Sequence, residues 1–173
     1  MNTDNTADLL RYDEPGKPKL PSGLNVLTIL SFVGCALQLI TSVFGFFSAQ
    51  STYEGKDKLI EQMNSGNMPS WAKSMMGDPA HLEEMITKSF ENRIPIVLLS
   101  LVAIGLCFVG ALQMRKLKKQ GFLLYTIGEL LPFLTLFLFI GSFAFSGIGF
   151  YSSGVIALLF IFLYFLQRSK MVN

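Results

Sequence analysis

Four long apolar stretches dominate the sequence, and polar segments separate most of them. They cover residues 24–49, 94–112, 121–140 and 148–166. A membrane-spanning helix needs about 20 predominantly apolar residues, and each stretch reaches or approaches that length. The sequence therefore predicts an all-α integral membrane protein, with a four-helix bundle within residues 23–167.

Polar tails flank the four predicted spans. Residues 1–22 are polar and contain Pro15, Pro18 and Pro21, which predicts a disordered tail. Ser22 is the predicted N-cap of the first helix. The first span is longer than the apolar core of a signal peptide and follows this tail, so we expect it to be retained. A tight turn at residues 141–147 joins spans three and four, and residues 168–173 form a second short tail.

The segment between spans one and two, residues 50–93, is long for a simple connection. Asp78 followed by Pro79 predicts the start of a helix, with a capping side chain and then proline at the first helical position. The apolar residues that follow recur at helical spacing, and Glu83 and Lys88 fall on other faces. A shorter helix is predicted at residues 56–63. The loop is therefore expected to carry amphipathic helices.

Two interpretations are open for the apolar side of this loop. It rests on the bilayer surface with Trp71 at the level of the head groups, or it binds a larger protein partner, as Met-rich and aromatic patches often do. The candidate partner-binding residues are Trp71, Leu82, Met85, Ile86 and Phe90. The loop methionines also suggest a Cu(I) site, but the chain has one histidine and no regular methionine repeat, so we predict no metal.

Composition supports a membrane protein and excludes several other classes. Hydrophobic residues make up 51% of the chain and charged residues 15%, whereas soluble domains carry about 25% charged residues. A disordered chain, a basic nucleic-acid-binding domain and a disulfide-stabilised secreted module are therefore excluded. The bilayer is the expected environment.

The placement of basic residues predicts the orientation. Nine of them lie in the tails and in the short loop between spans two and three, namely Arg11, Lys17, Lys19, Arg115, Lys116, Lys118, Lys119, Arg168 and Lys170. Acidic residues outnumber basic ones in the long loop. Both termini are therefore expected in the cytoplasm, and the long loop outside it. The cluster Arg115, Lys116, Lys118 and Lys119 is expected to contact anionic lipid head groups.

Two segments carry a resemblance to a known group of proteins. Residues 17–40 read KPKLPSGLNVLTILSFVGCALQLI, and residues 116–132 read KLKKQGFLLYTIGELLP. Both segments resemble small four-span proteins of Bacteroidota that have no assigned function. The resemblance implies a multi-pass protein of the bacterial inner membrane. It implies no activity and no functional residues, and it does not extend to the long loop.

Small and polar residues inside the spans predict helix packing, since helices in lipid associate through small residues and interhelical hydrogen bonds. Each of the first three spans has such a seam at steps of three or four residues. The first seam contains Ser31, Gly34, Gln38, Thr41 or Ser42, and Gly45. The second contains Ser100, Ala103, Cys107, and Gly110 or Ala111. The third contains Gly121, Tyr125, Gly128 or Glu129, and Pro132.

Glu129 is the principal intramembrane candidate, and Gln38 and Tyr125 are weaker ones. Glu129 lies eight residues after Gly121, about 12 Å along its helix. A carboxylate at that depth is costly unless it is paired, hydrated or protonated. Three roles are open: a hydrogen bond within the bundle, for example to Ser31 or Tyr125, a proton or ion pathway, and a contact between subunits.

The sequence disfavours an enzyme. No nucleophile triad, zinc spacing, P-loop or dinucleotide motif is present in the sequence, and no cofactor is predicted. We expect a non-enzymatic accessory or structural subunit of a larger inner-membrane complex. The alternative is a small oligomeric channel or proton-linked carrier that uses Glu129. The expected partners are thus the bilayer, with a larger membrane protein or further copies of the chain.

Overall fold

A computed structural model describes residues 12–14, 17–18, 20–66, 69–141 and 148–171. Helices dominate this part of the chain. They are α1 (Ser22–Glu54), α2 (Lys56–Asn64), α3 (Ser70–Met76), α4 (Pro79–Glu91), α5 (Arg93–Arg115), α6 (Gln120–Phe139) and α7 (Ile148–Gln167), followed by a 3-10 turn (Arg168–Lys170).

The described part of the N-terminal tail contains two short strands, and residues 1–11 lie outside the described residues. β1 (Tyr12–Glu14) pairs antiparallel with β2 (Lys17–Pro18). The sequence between them is Pro15-Gly16, a dipeptide typical of turns. The predicted cap is also one residue off: Pro21 is the N-cap of α1 and Ser22 is the first helical residue, because the Pro21 backbone is extended while Ser22 is already helical.

Four helices are long and apolar enough to cross a membrane: α1, α5, α6 and α7. Their bounds agree with the predicted spans within a few residues, except that α1 continues to Glu54. Gln50 donates a hydrogen bond to the Glu54 carboxylate (2.9 Å) in this extension. With 33 residues α1 is about 50 Å long, so it projects well beyond a hydrocarbon core of about 30 Å. Of the turn predicted between spans three and four, residues 142–147 lie outside the described residues.

Helices α5 and α6 form the most closely packed pair of the bundle. A Cβ atom on Gly110 would lie 2.6 Å from the Tyr125 backbone nitrogen. One on Gly121 would lie 2.6 Å from the Gly110 carbonyl oxygen, and one on Gly128 would lie 2.6 Å from the Cys107 Sγ atom. The small-residue seams of spans two and three therefore face each other in the structure. Only glycine permits this approach of the two backbones.

The short helices form a cap on the loop side of the bundle. Met63 of α2 packs against Leu82 and Ile86 of α4, and all three side chains are buried. Asp78 is the N-cap of α4 and its carboxylate accepts a hydrogen bond from the Ala80 backbone nitrogen (2.9 Å), as predicted. The burial holds α4 against the rest of the chain.

Candidate functional site

A hydrogen-bonded cluster of hydroxyl groups lies among α1, α6 and α7, in the half of the bundle nearer the termini. The Ser31 and Tyr164 hydroxyl groups are 2.8 Å apart, and Ser31 also donates to the Tyr125 hydroxyl group (3.3 Å). The two tyrosine rings pack with centroids 4.7 Å apart. All three side chains are buried. The cluster therefore links three helices through hydrogen bonds, in a part of the bundle where a bilayer supplies no water to bond these groups.

Glu129 lies beside this hydroxyl cluster. It follows Tyr125 by one turn of α6, so its carboxyl group lies close to the Tyr125 side chain. Cys35, Cys107 and Tyr164 also lie within electrostatic range of the carboxyl group. The structure thus brings together two of the three predicted intramembrane residues, Glu129 and Tyr125.

Gln38, the third predicted residue, lies elsewhere and lines a cavity in the loop-side half of the bundle. The cavity has a volume of about 540 Å³ and lies between α1, α5 and the end of α6, with α4 as its roof. Such a volume is typical of small-molecule sites, which also occur between helices of bundles. Glu129 is not among the lining residues. The bundle therefore contains two separate polar regions.

The lining of this cavity is polar on one side and apolar on the other. α1 contributes Gln38, Thr41, Ser42, Ser48 and Thr52, which recur at helical spacing on one face. α4, α5 and α6 contribute mainly apolar side chains, together with Ser89, Ser100 and Arg93. Arg93 is the charged residue of the lining, and its guanidinium carbon lies 4.6 Å from the centroid of the Phe90 ring.

The candidate partner-binding residues of the loop divide into inward-facing and outward-facing ones. Leu82 and Ile86 are buried in the cap, which leaves them little surface for a partner. Met85 and Phe90 are half-buried and line the cavity. Trp71 is 68% exposed. Of the five, Trp71 therefore has the most accessible side chain.

The basic cluster lies at the turn between α5 and α6. Its four side chains are exposed, namely Arg115, Lys116, Lys118 and Lys119. Leu117 between them is buried and has a positive φ of 57°. The turn thus buries its apolar side chain in the bundle and leaves its four basic side chains exposed. This exposure is what contact with lipid head groups requires.

Two features of the polar regions are not predicted by the sequence. Tyr164 was not singled out, because a tyrosine near the end of a span is typical of the membrane interface; its burial depends on Ser31, which is 133 residues away in the chain. The cavity was also missed. Its sequence signal is the polar face of α1, which continues beyond Gly45 to Ser48 and Thr52.

Comparison with known protein families, with curated proteins and with solved structures finds no match. The class of protein follows from the four apolar helices, which define a multi-pass membrane protein with an all-helical membrane domain. Within the described residues, no three His, Cys, Asp or Glu side chains come together in a group able to hold a metal ion.

Proposed function

We propose that this chain is a non-enzymatic accessory or structural subunit of a larger membrane-protein complex. The observation that carries this proposal is the small buried face of α7. Of the residues from Phe150 to Gln167, only 11% are buried within the chain, whereas 28% are buried in the most apolar segment of α5. A helix with so few contacts in its own bundle gains most from packing against a neighbour.

The exposed face of α7 is long and apolar. Seven side chains along it are at least half exposed, namely Val155, Ile156, Leu158, Leu159, Phe162, Phe165 and Leu166. Lipid alone is able to cover such a face, and close packing with a helix of a partner adds van der Waals contacts. Trp71 offers a second contact outside the bilayer, since exposed aromatic residues are frequent anchors of protein interfaces.

We further propose that the protein resides in a bacterial inner membrane with both termini in the cytoplasm. The exposed basic cluster between α5 and α6 supports this orientation through the positive-inside rule. Single cysteines at Ser65 and Lys118 provide the test. A membrane-impermeant thiol reagent applied outside intact cells should label the first and not the second, and the reverse pattern would contradict the proposed orientation.

The subunit proposal is tested by purification in a mild detergent and mass spectrometry of the intact assembly. The wild-type chain should co-purify with a different membrane protein at fixed stoichiometry. Leu158→Trp, which alters the exposed face of α7, should release it. Val102→Trp is the matched control because Val102 is also exposed, on α5, and it should retain the partner. A wild-type chain that purifies alone or only with copies of itself would contradict the proposal.

A second candidate function is a small channel or proton-linked carrier, and the position of Glu129 favours it. A carboxyl group next to the Ser31, Tyr125 and Tyr164 hydroxyl cluster supplies groups that exchange protons. Proton flux into liposomes containing the purified chain tests it. Glu129→Gln keeps the size of the side chain but cannot ionise, so it should abolish flux and leave assembly intact.

A purely packing role for Glu129 gives a different pattern. Glu129→Gln should then leave assembly nearly unchanged, whereas Glu129→Leu should loosen the bundle, because it removes the polar group beside the Tyr125 side chain. Flux that is absent in the wild-type liposomes would contradict the carrier function.

A further inference from the structure

Two side chains of the cavity between α1 and α5 carry N–H donors that form no hydrogen bond within the described part of the chain. One is Arg93, the first residue of α5, and the other is Gln38, in the interior of α1. Most hydroxyl groups of the lining differ from them. Those of Thr41, Ser48 and Ser100 donate to carbonyl oxygens of their own helices. The donors left for a ligand are therefore the guanidinium and the amide, together with the hydroxyl groups of Ser42 and Ser89.

Arg93 creates a positive site at the loop-side end of the cavity. Among the described residues, no carboxylate forms an ion pair with it; its contact is with the face of Phe90. The N-terminus of α5 adds positive potential at the same place, because Arg93 opens this 23-residue helix. A guanidinium in this setting favours an anion, and its planar donors fit a phosphate or a carboxylate.

The remainder of the cavity suits a flexible apolar chain. Apolar side chains come from Ile96 and Val97 of α5, from Leu136 of α6 and Ile140 directly after it, and from Phe46 of α1. Ser100 is seven residues from Arg93, so the lining of α5 extends about 10 Å along the helix from the charge. Positive charge at one end and apolar surface beyond it are the features of a site for an amphiphile.

We infer that this cavity binds one anionic amphiphile, with its negatively charged head group at Arg93 and an acyl chain between α1 and α5. An anionic phospholipid and a free fatty acid share this chemistry. α4 closes the site from the loop side through Met85, Ile86 and Phe90. The inference does not depend on the proposed role as a subunit.

Native mass spectrometry of the full chain in detergent tests the site. Phosphatidylglycerol, phosphatidylcholine and oleate are each added at equal concentration, and the occupancy of the first adduct is measured. The wild-type chain should bind phosphatidylglycerol or oleate in preference to phosphatidylcholine, and the adduct mass distinguishes the two anionic sources. Arg93→Gln should weaken anionic binding about tenfold, as expected for loss of one charge-assisted interaction.

Two glycines of α1 provide a matched pair for the apolar part of the site. Gly45 lines the cavity and Gly34 does not; a Cβ atom at either position meets no atom within 4 Å. Gly45→Leu should therefore fill the cavity and displace the amphiphile without a backbone clash, while Gly34→Leu should bind as wild type.

Three results would overturn the inference: equal binding of phosphatidylcholine and phosphatidylglycerol with no preference for oleate, unchanged occupancy in both Arg93→Gln and Gly45→Leu, or equal losses in Gly34→Leu and Gly45→Leu. If Gly45→Leu does not insert, Arg93→Gln alone decides, because it changes a partly exposed side chain at the start of α5 whose contact is with the Phe90 ring.

Discussion

The two halves of the bundle are built from similar residues but pack differently. Near the termini, Gly110, Gly121 and Gly128 bring backbones into contact, and Leu24 and Met114 are fully buried. In the loop-side half, small and hydroxyl residues of α1 face a cavity of about 540 Å³. Small residues therefore allow close packing where a second helix lies against them. Where the helices diverge, small residues leave a cavity.

The seam predicted along α1 shows this division within one helix. Ser31 is buried in the hydroxyl cluster, as a packing seam requires. Gly34 and Gly45 have no neighbouring atom within 4 Å of an added Cβ, so the expectation of packing is wrong at both positions. The reason is that both glycines are exposed, and Gly45 also borders the cavity.

The largest effect is expected at Gly110. Gly110→Ala places a Cβ atom against the backbone of α6 and should destabilise the hairpin of α5 and α6 by about 1–3 kcal/mol. Thermal unfolding in detergent measures it. Gly105→Ala, on the same helix in open space, should not destabilise the hairpin, because alanine has the higher helix propensity. Equal effects of the two substitutions would show that α5 is not packed through Gly110.

The hydroxyl cluster should give a smaller effect. Tyr164→Phe removes the hydroxyl group that is hydrogen-bonded to Ser31, and it should lower the free energy of unfolding by about 1 kcal/mol. Tyr151→Phe is the control, since Tyr151 lies on the same helix but is 62% exposed. A double-mutant cycle with Ser31→Ala measures the coupling directly. Independent effects of the two substitutions would contradict the hydrogen bond between α1 and α7.

Sequence reasoning predicted the spans well and their mutual arrangement poorly. The four spans were predicted within a few residues because length and apolarity alone determine whether a helix crosses a bilayer. The end of α1 was missed because residues 50–54 are polar yet contain no glycine or proline, and the helix stops only before Gly55.

Only the part of the candidate site that lies within a single helix was predicted from the sequence. Glu129 and Tyr125 are one turn apart on α6, so their proximity follows from helical geometry. The third partner, Tyr164, and the cavity depend on how distant helices cross, which no local pattern encodes. Pattern alone also predicted the apolar face of α4, but not that Met63 buries it.

The smallest effect concerns the roof of the loop-side half. Asp78→Ala removes the N-cap of α4 and should lower the local stability of that helix by about 1 kcal/mol. Hydrogen exchange of the α4 amides should accelerate while those of α5 and α6 stay unchanged. Glu91→Ala, at the other end of α4, should have less than about half that effect. Unchanged exchange in Asp78→Ala would show that packing alone holds the roof in place.

The contrast between a closed and an open half is tested most directly by thiol accessibility along α1. Ser48→Cys places a thiol in the cavity lining, and Ser31→Cys places one in the buried hydroxyl cluster. The native Cys35 and Cys107 are buried and should stay unmodified. A water-soluble thiol reagent should modify the thiol at position 48 at least about tenfold faster than the thiol at position 31, because the reaction requires a hydrated thiolate. Equal rates at the two positions would contradict the division of the bundle into two differently packed halves.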